Sequence, residues 1–458
     1  MDEDIKAKKE DKRAIIILCS IIGIIILFVI VGAIITRNSP KSPYYILERE
    51  ETSKKEEPKE EEPPIEEEPQ EEPDIEKEPF PEVDLDIDKV IKDYNLEEIK
   101  QYIEKDKDYF KQYAYVIINN NYIQNKKPVL DMYKIVMLNT KYLDKESLLS
   151  SLKELMIIKV DKNVEAGTYD DSFTKINAPE GMDEDILYHE IIHFIEHRLP
   201  GKKVENYNVC VDGNKYTSKK ENPDCKDYSQ LPYSRFIIEV GTETNLYRYF
   251  KRTTVAYEQG DTIYNIIAYM IGEQKLNDIF FSNDTLFELL NEFHKYGITL
   301  NDYVLFLNDT TFYETESNFI GTNPPSEEEY LVRIINVLDK IYDNKYGHSW
   351  ESDPKFSFLM RLLYNHTSFN FTTRSNFTGY IKQSTLSESE QQLIQQPLDL
   401  STKVREYYND YEVGNTYVFI LNDNKVLIKG YVIKNNKSTK LEIEYDLDND
   451  KIIKINEI

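Results

Sequence analysis

The stretch DEDILYHEIIHFIEHRL, residues 183–199, is the part of this sequence that most strongly predicts the fold. On a helical wheel its apolar side chains occupy most of the circumference, and Pro200 follows directly. A helix that is apolar nearly all round is normally buried in a protein core. We therefore expect a central helix that begins at Asp183 or Glu184 and ends before Pro200.

Two histidines and a glutamate interrupt this apolar surface, since His189, Glu190 and His193 form the pattern H-E-x-x-H. At about 100° per residue, the histidines lie about 40° apart on one helix face, so both imidazoles can bind one ion. Zinc favours such nitrogen ligands, and a catalytic zinc keeps one position open beside three protein ligands. Glu190 can then act as general base toward a water in that position. The alternative is a hydrogen-bonded pair of core histidines.

A third ligand is expected downstream, in RFIIEVGTETNLY, residues 235–247. Glu239 and Glu243 are four residues apart, so they share one face of a helix. We assign Glu239 to the metal and expect Glu243 to orient a ligand histidine. Apolar neighbours surround Glu239, which argues against a solvent-exposed acidic face. The predicted cofactor is one Zn²⁺ per chain.

HEIIH followed by EVGTE resembles the gluzincin class of zinc metallopeptidases, in which a glutamate on a later helix completes the H-E-x-x-H site. Gly241 stands one position later than the glycine of the E-G-x-x-E form of that helix. The resemblance covers roughly residues 165–300. It implies cleavage of peptide bonds in a zinc cleft between a mixed β-rich lobe and a helical lobe. It also implies that SFTKINAP, residues 172–179, is the edge strand that pairs with substrate backbone.

Further site residues are less strongly indicated. A donor to the oxyanion is expected in such a site, usually a tyrosine or histidine in this class, and Tyr257 and His294 are the candidates. His197 shares the ligand face one turn on, but three histidines on one straight helix cannot close round one ion. We therefore expect His197 behind the ligands or at the surface. Leu199 stands where the metzincin pattern requires a histidine.

The remaining chain indicates an α+β fold. Helical spacing is found in residues 96–120 and 145–156 and again from 235 to about 365,. Short β-rich runs are expected at three places: PVLDMYKIVML (128–138), MIIKV (156–160) and SFTKINAP.

Residues 401–458 change character and predict a small antiparallel β-meander, because apolar runs alternate there with NDN, NNKS and DND turns,. Four acidic residues of this segment match the spacing of a calcium loop: Asp446, Asp448, Asp450 and Glu457. Lys451 replaces the glycine that such a loop needs at its sixth position. The segment also has the pattern of a turn followed by a strand, so we predict no calcium site.

Residues 14–36 form an uncharged run, AIIILCSIIGIIILFVIVGAIIT. Its length suits a hydrocarbon core of about 30 Å. Lys and Arg are concentrated in residues 1–13, which predicts a cytoplasmic N-terminus and an ectodomain outside. A cleaved signal peptide is the alternative, but no small-x-small cleavage site closes the run. We therefore expect a signal anchor, contact with the lipid bilayer through 14–36, and a single-pass protein of the cell membrane.

A proline- and glutamate-rich linker follows, residues 37–84. Within it, residues 48–84 hold 18 acidic and 5 basic side chains, a net charge of 5 − 18 = −13, together with seven prolines. Self-repelling carboxylates and prolines cannot bury a core, so this segment is predicted to be disordered.

The net charge of the chain argues against nucleic-acid binding. The chain of 458 residues has 83 acidic and 56 basic side chains and a net charge of −27. Nucleic-acid binding is therefore not expected, because phosphates require clustered Lys and Arg.

Cys210 and Cys225, fifteen residues apart, can form a disulfide in an oxidising exterior. Two free thiols are the alternative.

Together these features predict a metallopeptidase-like domain over residues 85–400 and the β unit over 401–458. The expected function is a membrane-tethered, extracytoplasmic zinc endopeptidase acting on a protein or peptide substrate. The alternative is a non-catalytic surface binding or adhesion protein on the same scaffold. The oligomeric state is not predicted.

Overall fold

A computed structural model gives the fold of residues 83–458, apart from internal gaps and the last residue. The gaps are 161–166, 171–173, 202–207, 213–214, 219–221, 223, 226–227, 233, 253, 255–257, 316–326, 366–380, 397, 399–402, 405, 409–411, 423–424, 436 and 450, and the last residue is 458. The predicted cytoplasmic tail and nearly all of the predicted linker lie outside the described residues.

The predicted membrane architecture needs correction. Within the described part of the chain, no helix is both long and apolar enough to cross a bilayer. The helix Glu327–Tyr346, for example, has 20 residues but carries charged side chains along its length. Residues 14–36 lie outside the described part. We therefore withdraw the signal anchor, the bilayer contact and the single-pass localisation, and describe the chain as a mixed fold of helices and sheets.

The N-terminal region is helical. Its helices are α1 (Ile87–Tyr94), α2 (Lys100–Ile103), α3 (Lys107–Asn119), α4 (Lys127–Asp131), α5 (Tyr133–Leu138) and α6 (Lys145–Glu154), with 3₁₀ turns at Glu97–Ile99 and Thr140–Tyr142. The β-rich interpretation of 128–138 is therefore wrong. Pro128 occupies the first turn of α4, where its missing N–H is not needed,.

The strands nearest the predicted site form a small sheet in the order β1 (Met156–Val160), β3 (Lys175–Pro179), β2 (Thr168–Asp170). β3 pairs with β1 in parallel and with β2 antiparallel. β3 is therefore the central strand, and the expectation that it is the edge strand is wrong. The edge strands are β1 and β2.

The described helices of the second half of the chain form two groups: the first helix packs into the core of the N-terminal helices, and the later ones pack around a larger core. These helices are α7 (Glu184–Arg198), α8 (Arg235–Phe250), α9 (Glu258–Ile271), α10 (Glu273–Phe280), α11 (Thr285–His294), α12 (Leu300–Thr315), α13 (Glu327–Tyr346), α14 (Pro354–Asn365) and α15 (Glu388–Ile394), with 3₁₀ turns at Trp350–Ser352 and Ile381–Gln383. α7 confirms the predicted central helix: Asp183 caps it, and its residues from Leu187 to His197 are buried.

A second sheet connects α7 and α8 in sequence, in the order β5 (Lys215–Ser218), β4 (Asn208–Asp212), β6 (Tyr228–Gln230). Cys210 on β4 forms a disulfide with Cys225, and their Cα atoms are 5.9 Å apart. Val209 on β4 reaches the core of the helical region. The disulfide and the buried side chain of Val209 thus hold β4 in place.

The C-terminal sheet is an antiparallel meander of β7 (Glu412–Asn422), β8 (Lys425–Lys434), β9 (Lys437–Asp446) and β10 (Lys451–Glu457). Three alternate side chains of β9, Leu441, Ile443 and Tyr445, are buried in the same core as the helices α8–α14. The ring of Tyr445 stacks on Phe358 of α14. The described residues from 83 onward form one compact unit that includes this sheet.

Gly241 in α8 is required by packing. A Cβ atom at this position would lie 2.5 Å from the ring of Phe280 and 3.2 Å from the hydroxyl of Tyr264. Real Cβ contacts are not this short, and the Phe280 ring is buried. The absence of a side chain therefore allows Phe280 to pack directly on the helix backbone.

We expect Gly241→Ala to lower the free energy of unfolding by about 1–2 kcal/mol, because overpacking costs more than the alanine gains in helix propensity. Urea denaturation of both proteins measures the change. In a Phe280→Leu background, which makes room for the new methyl group, the same substitution should cost less. A net gain of stability in the wild-type background would contradict this packing argument.

Candidate metal centre

The predicted site residues lie on the two antiparallel helices α7 and α8. Asp183 begins α7 by accepting a hydrogen bond from the backbone N of Asp185 at 3.0 Å. Ser234 begins α8 in the same way, with the backbone N of Ile237 as donor. Because α7 and α8 run in opposite directions, His189 faces Glu243 and His193 faces Glu239.

Three atoms converge at the centre of this contact. Nε2 of His189 and Nε2 of His193 are 3.1 Å apart, and each is 3.2 Å from Oε2 of Glu239. Two ligands of a tetrahedral zinc, each about 2.0–2.1 Å from the ion, are about 3.3 Å apart. The three atoms therefore have nearly the mutual spacing of three corners of a zinc site, and their residues fit a metal.

The outer nitrogens of both histidines have partners as well. Nδ1 of His189 lies 3.2 Å from Oε2 of Glu243, and Nδ1 of His193 lies 3.1 Å from Oγ1 of Thr242. Glu243 itself accepts hydrogen bonds from the backbone N and the hydroxyl of Thr254, both at 2.8 Å. These contacts fix the orientation of both imidazole rings, as outer partners do in metal sites.

The hydrogen-bond chemistry of these partners indicates where the protons are. An ionised carboxylate can only accept, so the Nδ1 of His189 that faces Glu243 must carry a hydrogen. In the neutral imidazole, Nε2 then presents a lone pair. The hydroxyl of Thr242 can either donate to Nδ1 of His193 or accept from it, and where it accepts, Nε2 of His193 presents a lone pair as well,. In that state two nitrogen lone pairs and a carboxylate oxygen face one another at about 3 Å, and a cation between them would satisfy all three.

Electrostatics lead to the same conclusion. Burial lowers the pKa of His189, but the hydrogen bonds to Glu239 and Glu243 and the charge of Glu190 outweigh it and raise the pKa to about 10. Burial raises the pKa of Glu239, but the charges and hydrogen bonds of His193 and His189 hold it well below its usual range. The cluster thus stabilises a positive charge at its centre.

Glu190 is buried on α7 beside the start of the edge strand β2. A Cβ atom on Gly167 would lie 3.1 Å from Cγ of Glu190 and 2.9 Å from Cγ2 of Ile186. The backbone that enters β2 therefore lies directly against the α7 face that carries Glu190. This approach of β2 was not predicted from the sequence, although a glycine in a strand pattern is typical of close backbone contact.

Neither His294 nor His197, the other predicted histidines in the described part of the chain, belongs to the group of converging atoms. Tyr257 lies outside the described residues. His294 ends α11, where its ring packs against Tyr216 at 4.6 Å and its Nδ1 lies 3.2 Å from the carbonyl oxygen of Ile298. His197 is buried, with its ring 6.2 Å from that of Tyr169, so the surface alternative for His197 is wrong.

A second acidic group was missed by the sequence analysis. Carboxylate oxygens of Asp339, Asp343 and Glu390 lie within 4.8 Å of one another. Asp339 accepts hydrogen bonds from Nε1 of Trp350 and Oγ1 of Thr385, both at 3.0 Å. The four-residue spacing of the two aspartates was visible, but their approach to Glu390 on a different helix was not.

Burial raises the pKa of Asp339 to about 6, and the nearby charges of Asp343 and Glu390 add to the shift. The folded protein therefore favours the protonated form of Asp339. This contribution to stability is fully present below the unfolded pKa of about 3.9 and is lost as the pH rises through about 6. An asparagine imitates the protonated form at every pH.

We expect Asp339→Asn to raise the free energy of unfolding by about 1–2 kcal/mol at pH 7.5 and by close to zero at pH 4. Urea denaturation at both pH values measures the difference from wild type. Glu98→Gln, which removes an exposed carboxylate outside this group, is the control for the general effect of losing one acidic side chain. The interpretation fails if the effect of Asp339→Asn is equal at the two pH values.

Comparison with known proteins adds no relative: no family model matches the chain, and neither a curated protein nor a solved structure matches it. The resemblance to gluzincins therefore stays a prediction, and the candidate metal centre is supported by its geometry.

Proposed function

We propose that this chain is a zinc-dependent peptidase whose centre is formed by His189, His193 and Glu239. The observation that carries the proposal is the convergence of two Nε2 atoms and one carboxylate oxygen within 3.2 Å, while Glu243 and Thr242 occupy both Nδ1 atoms. A pair of core histidines without a metal would need a proton at this point. Glu190, adjacent to His189 on α7, supplies the general base that hydrolysis requires.

The roles of the residues follow from their chemistry. A bound zinc would supply a Lewis acid and a lowered pKa for water. Glu243 and Thr242 hold the imidazole rings of His189 and His193 with the lone pairs directed inward. The carboxylate of Glu190 accepts a proton from the attacking water and returns it to the leaving amine, which balances the hydrolysis of a peptide bond.

The substrate class is supported by the strand beside Glu190. β2 is an edge strand of its sheet, and an extended peptide can add to such an edge by main-chain hydrogen bonds,. Gly167 brings the start of this strand against Glu190. We therefore assign the role of substrate partner to β2 and no longer to β3, which lies in the middle of the sheet.

The first test is the metal content of the full-length chain. We expect about one zinc per chain in wild type, and a large loss in Glu239→Ala, because removing one of three ligands leaves two histidines that cannot hold the ion alone. Glu273→Ala, which removes a carboxylate outside the cluster, is the control and should keep its zinc. Wild-type protein that stays free of zinc after reloading would contradict the proposal.

The second test concerns the base. Glu190→Gln keeps the size of the side chain but cannot accept the proton, so hydrolysis of a denatured protein substrate should fall by about 10²–10⁴-fold while zinc content is unchanged. Hydrolysis is followed by the release of new amino groups. Full activity in this variant would show that Glu190 is not the base.

A further inference from the structure

The contact between α7 and α8 is a series of polar pairs at four-residue intervals. His193 faces Glu239, and one turn away His189 faces Glu243. The next positions of this series are Asp185 on α7 and Tyr247 on α8. Both are buried or nearly so, and both are bound by the C-terminal sheet.

Strand β9 supplies the two partners. Nζ of Lys440 lies 2.8 Å from Oδ2 of Asp185, and Oε1 of Glu442 accepts a hydrogen bond from the hydroxyl of Tyr247. Lys440 and Glu442 are two residues apart, so they project from the same face of β9. One strand therefore contacts both ligand helices at once.

The other face of β9 is fixed. Leu441, Ile443 and Tyr445 alternate with the two polar residues and are buried in the helical core. Because this face cannot move without disturbing the core, the opposite face gives Asp185 and Tyr247 a rigid support. The two polar contacts are thus anchored on a well-packed element.

A further contact ties the same ends of the helices together. Arg252, just after α8, binds Oδ1 of Asp185 at 2.6 Å and Oε2 of Glu184 at 2.9 Å. Thr254, two residues later, holds Glu243. Asp185 therefore binds two cationic side chains, Lys440 of β9 and Arg252 just after α8. Both contacts lie close to the residues that orient His189.

We propose that Lys440 and Glu442 form a bridge between α7 and α8 that fixes the spacing of His189, His193 and Glu239. The C-terminal sheet is then a positioning element of the metal centre, an inference that rests on the proposed function. Tyr247 is about 12 Å along the helix axis from Glu239, and a tilt of about 5° over that length displaces a ligand by about 1 Å. Metal–ligand distances tolerate only about 0.2 Å.

The affinity for zinc tests the bridge directly. In the full-length chain, Lys440→Met combined with Tyr247→Phe removes both contacts and keeps the size of each side chain. We expect its zinc dissociation constant, measured by competition with a chelator, to rise roughly 10-fold. The matched control is Lys425→Met, which breaks the 2.9 Å ion pair with Glu444 inside the same sheet and should leave the constant unchanged. Equal constants in the two variants would overturn the inference.

Single substitutions separate positioning from general stability. Tyr247→Phe removes one oxygen atom and should raise the constant roughly 3-fold even if the double variant does not fold. Glu442→Gln keeps an oxygen acceptor for Tyr247 and should bind zinc like wild type, whereas Glu442→Val should bind it more weakly. Equal affinity of the Gln and Val variants would count against the bridge.

Hydrogen exchange of the metal-free protein distinguishes this inference from the proposed function. Amides of 185–193 and 239–247 should exchange faster in the bridge variant than in Lys425→Met. If wild type binds no zinc, the proposed function fails, and faster exchange still supports the bridge between the helices. Equal exchange in the two variants rejects the bridge whatever the zinc result.

Discussion

Two imidazole nitrogens and a carboxylate oxygen that meet within 3.2 Å in a buried site need a proton or a metal cation between them,. The surrounding structure is arranged around this requirement. Apolar residues of α7 belong to the core of the N-terminal helices, whereas Phe236, Ile237 and Val240 of α8 belong to the core of the second half of the chain. The polar cluster thus lies where the two cores meet, and each helix presents its polar positions to the other.

The parts of the site that could be predicted from the sequence are those that depend on local spacing. H-E-x-x-H places two histidines on one helix face wherever that helix lies, and E-x-x-x-E does the same for Glu239 and Glu243. Glu239 was assigned to the metal and Glu243 to the orientation of a ligand histidine. In the structure Glu239 lies beside both histidines and Glu243 beside the outer nitrogen of His189, because antiparallel helices pair a four-residue interval with another four-residue interval. The capping residue Asp183 was also predictable, since it is a local signal.

What the sequence did not reveal depends on contacts between distant segments. The apolar run 128–138 has no clear period, and it forms two short helices because they pack on α7 and their neighbours. The order of β1, β3 and β2 is set by pairings that no local pattern encodes. Equally, nothing in the alternation of β9 indicates that its polar face contacts Asp185 and Tyr247. These residues lie 255 and 195 positions earlier in the chain than their partners on β9. A polar strand face normally indicates solvent, and here Lys440 and Glu442 of that face bind helices.

The glycine of α8 illustrates how a motif can combine two separate constraints. Its position, one residue later than in the E-G-x-x-E form, could suggest that the ligand register is shifted. The structure separates the two features: Gly241 faces Phe280 and Tyr264 on the far side of α8, while Glu239 and Glu243 face the histidines. The position of the glycine is therefore set by the close packing of Phe280 of α10 on α8. The ligand register depends on the four-residue interval between the glutamates, and that interval is kept.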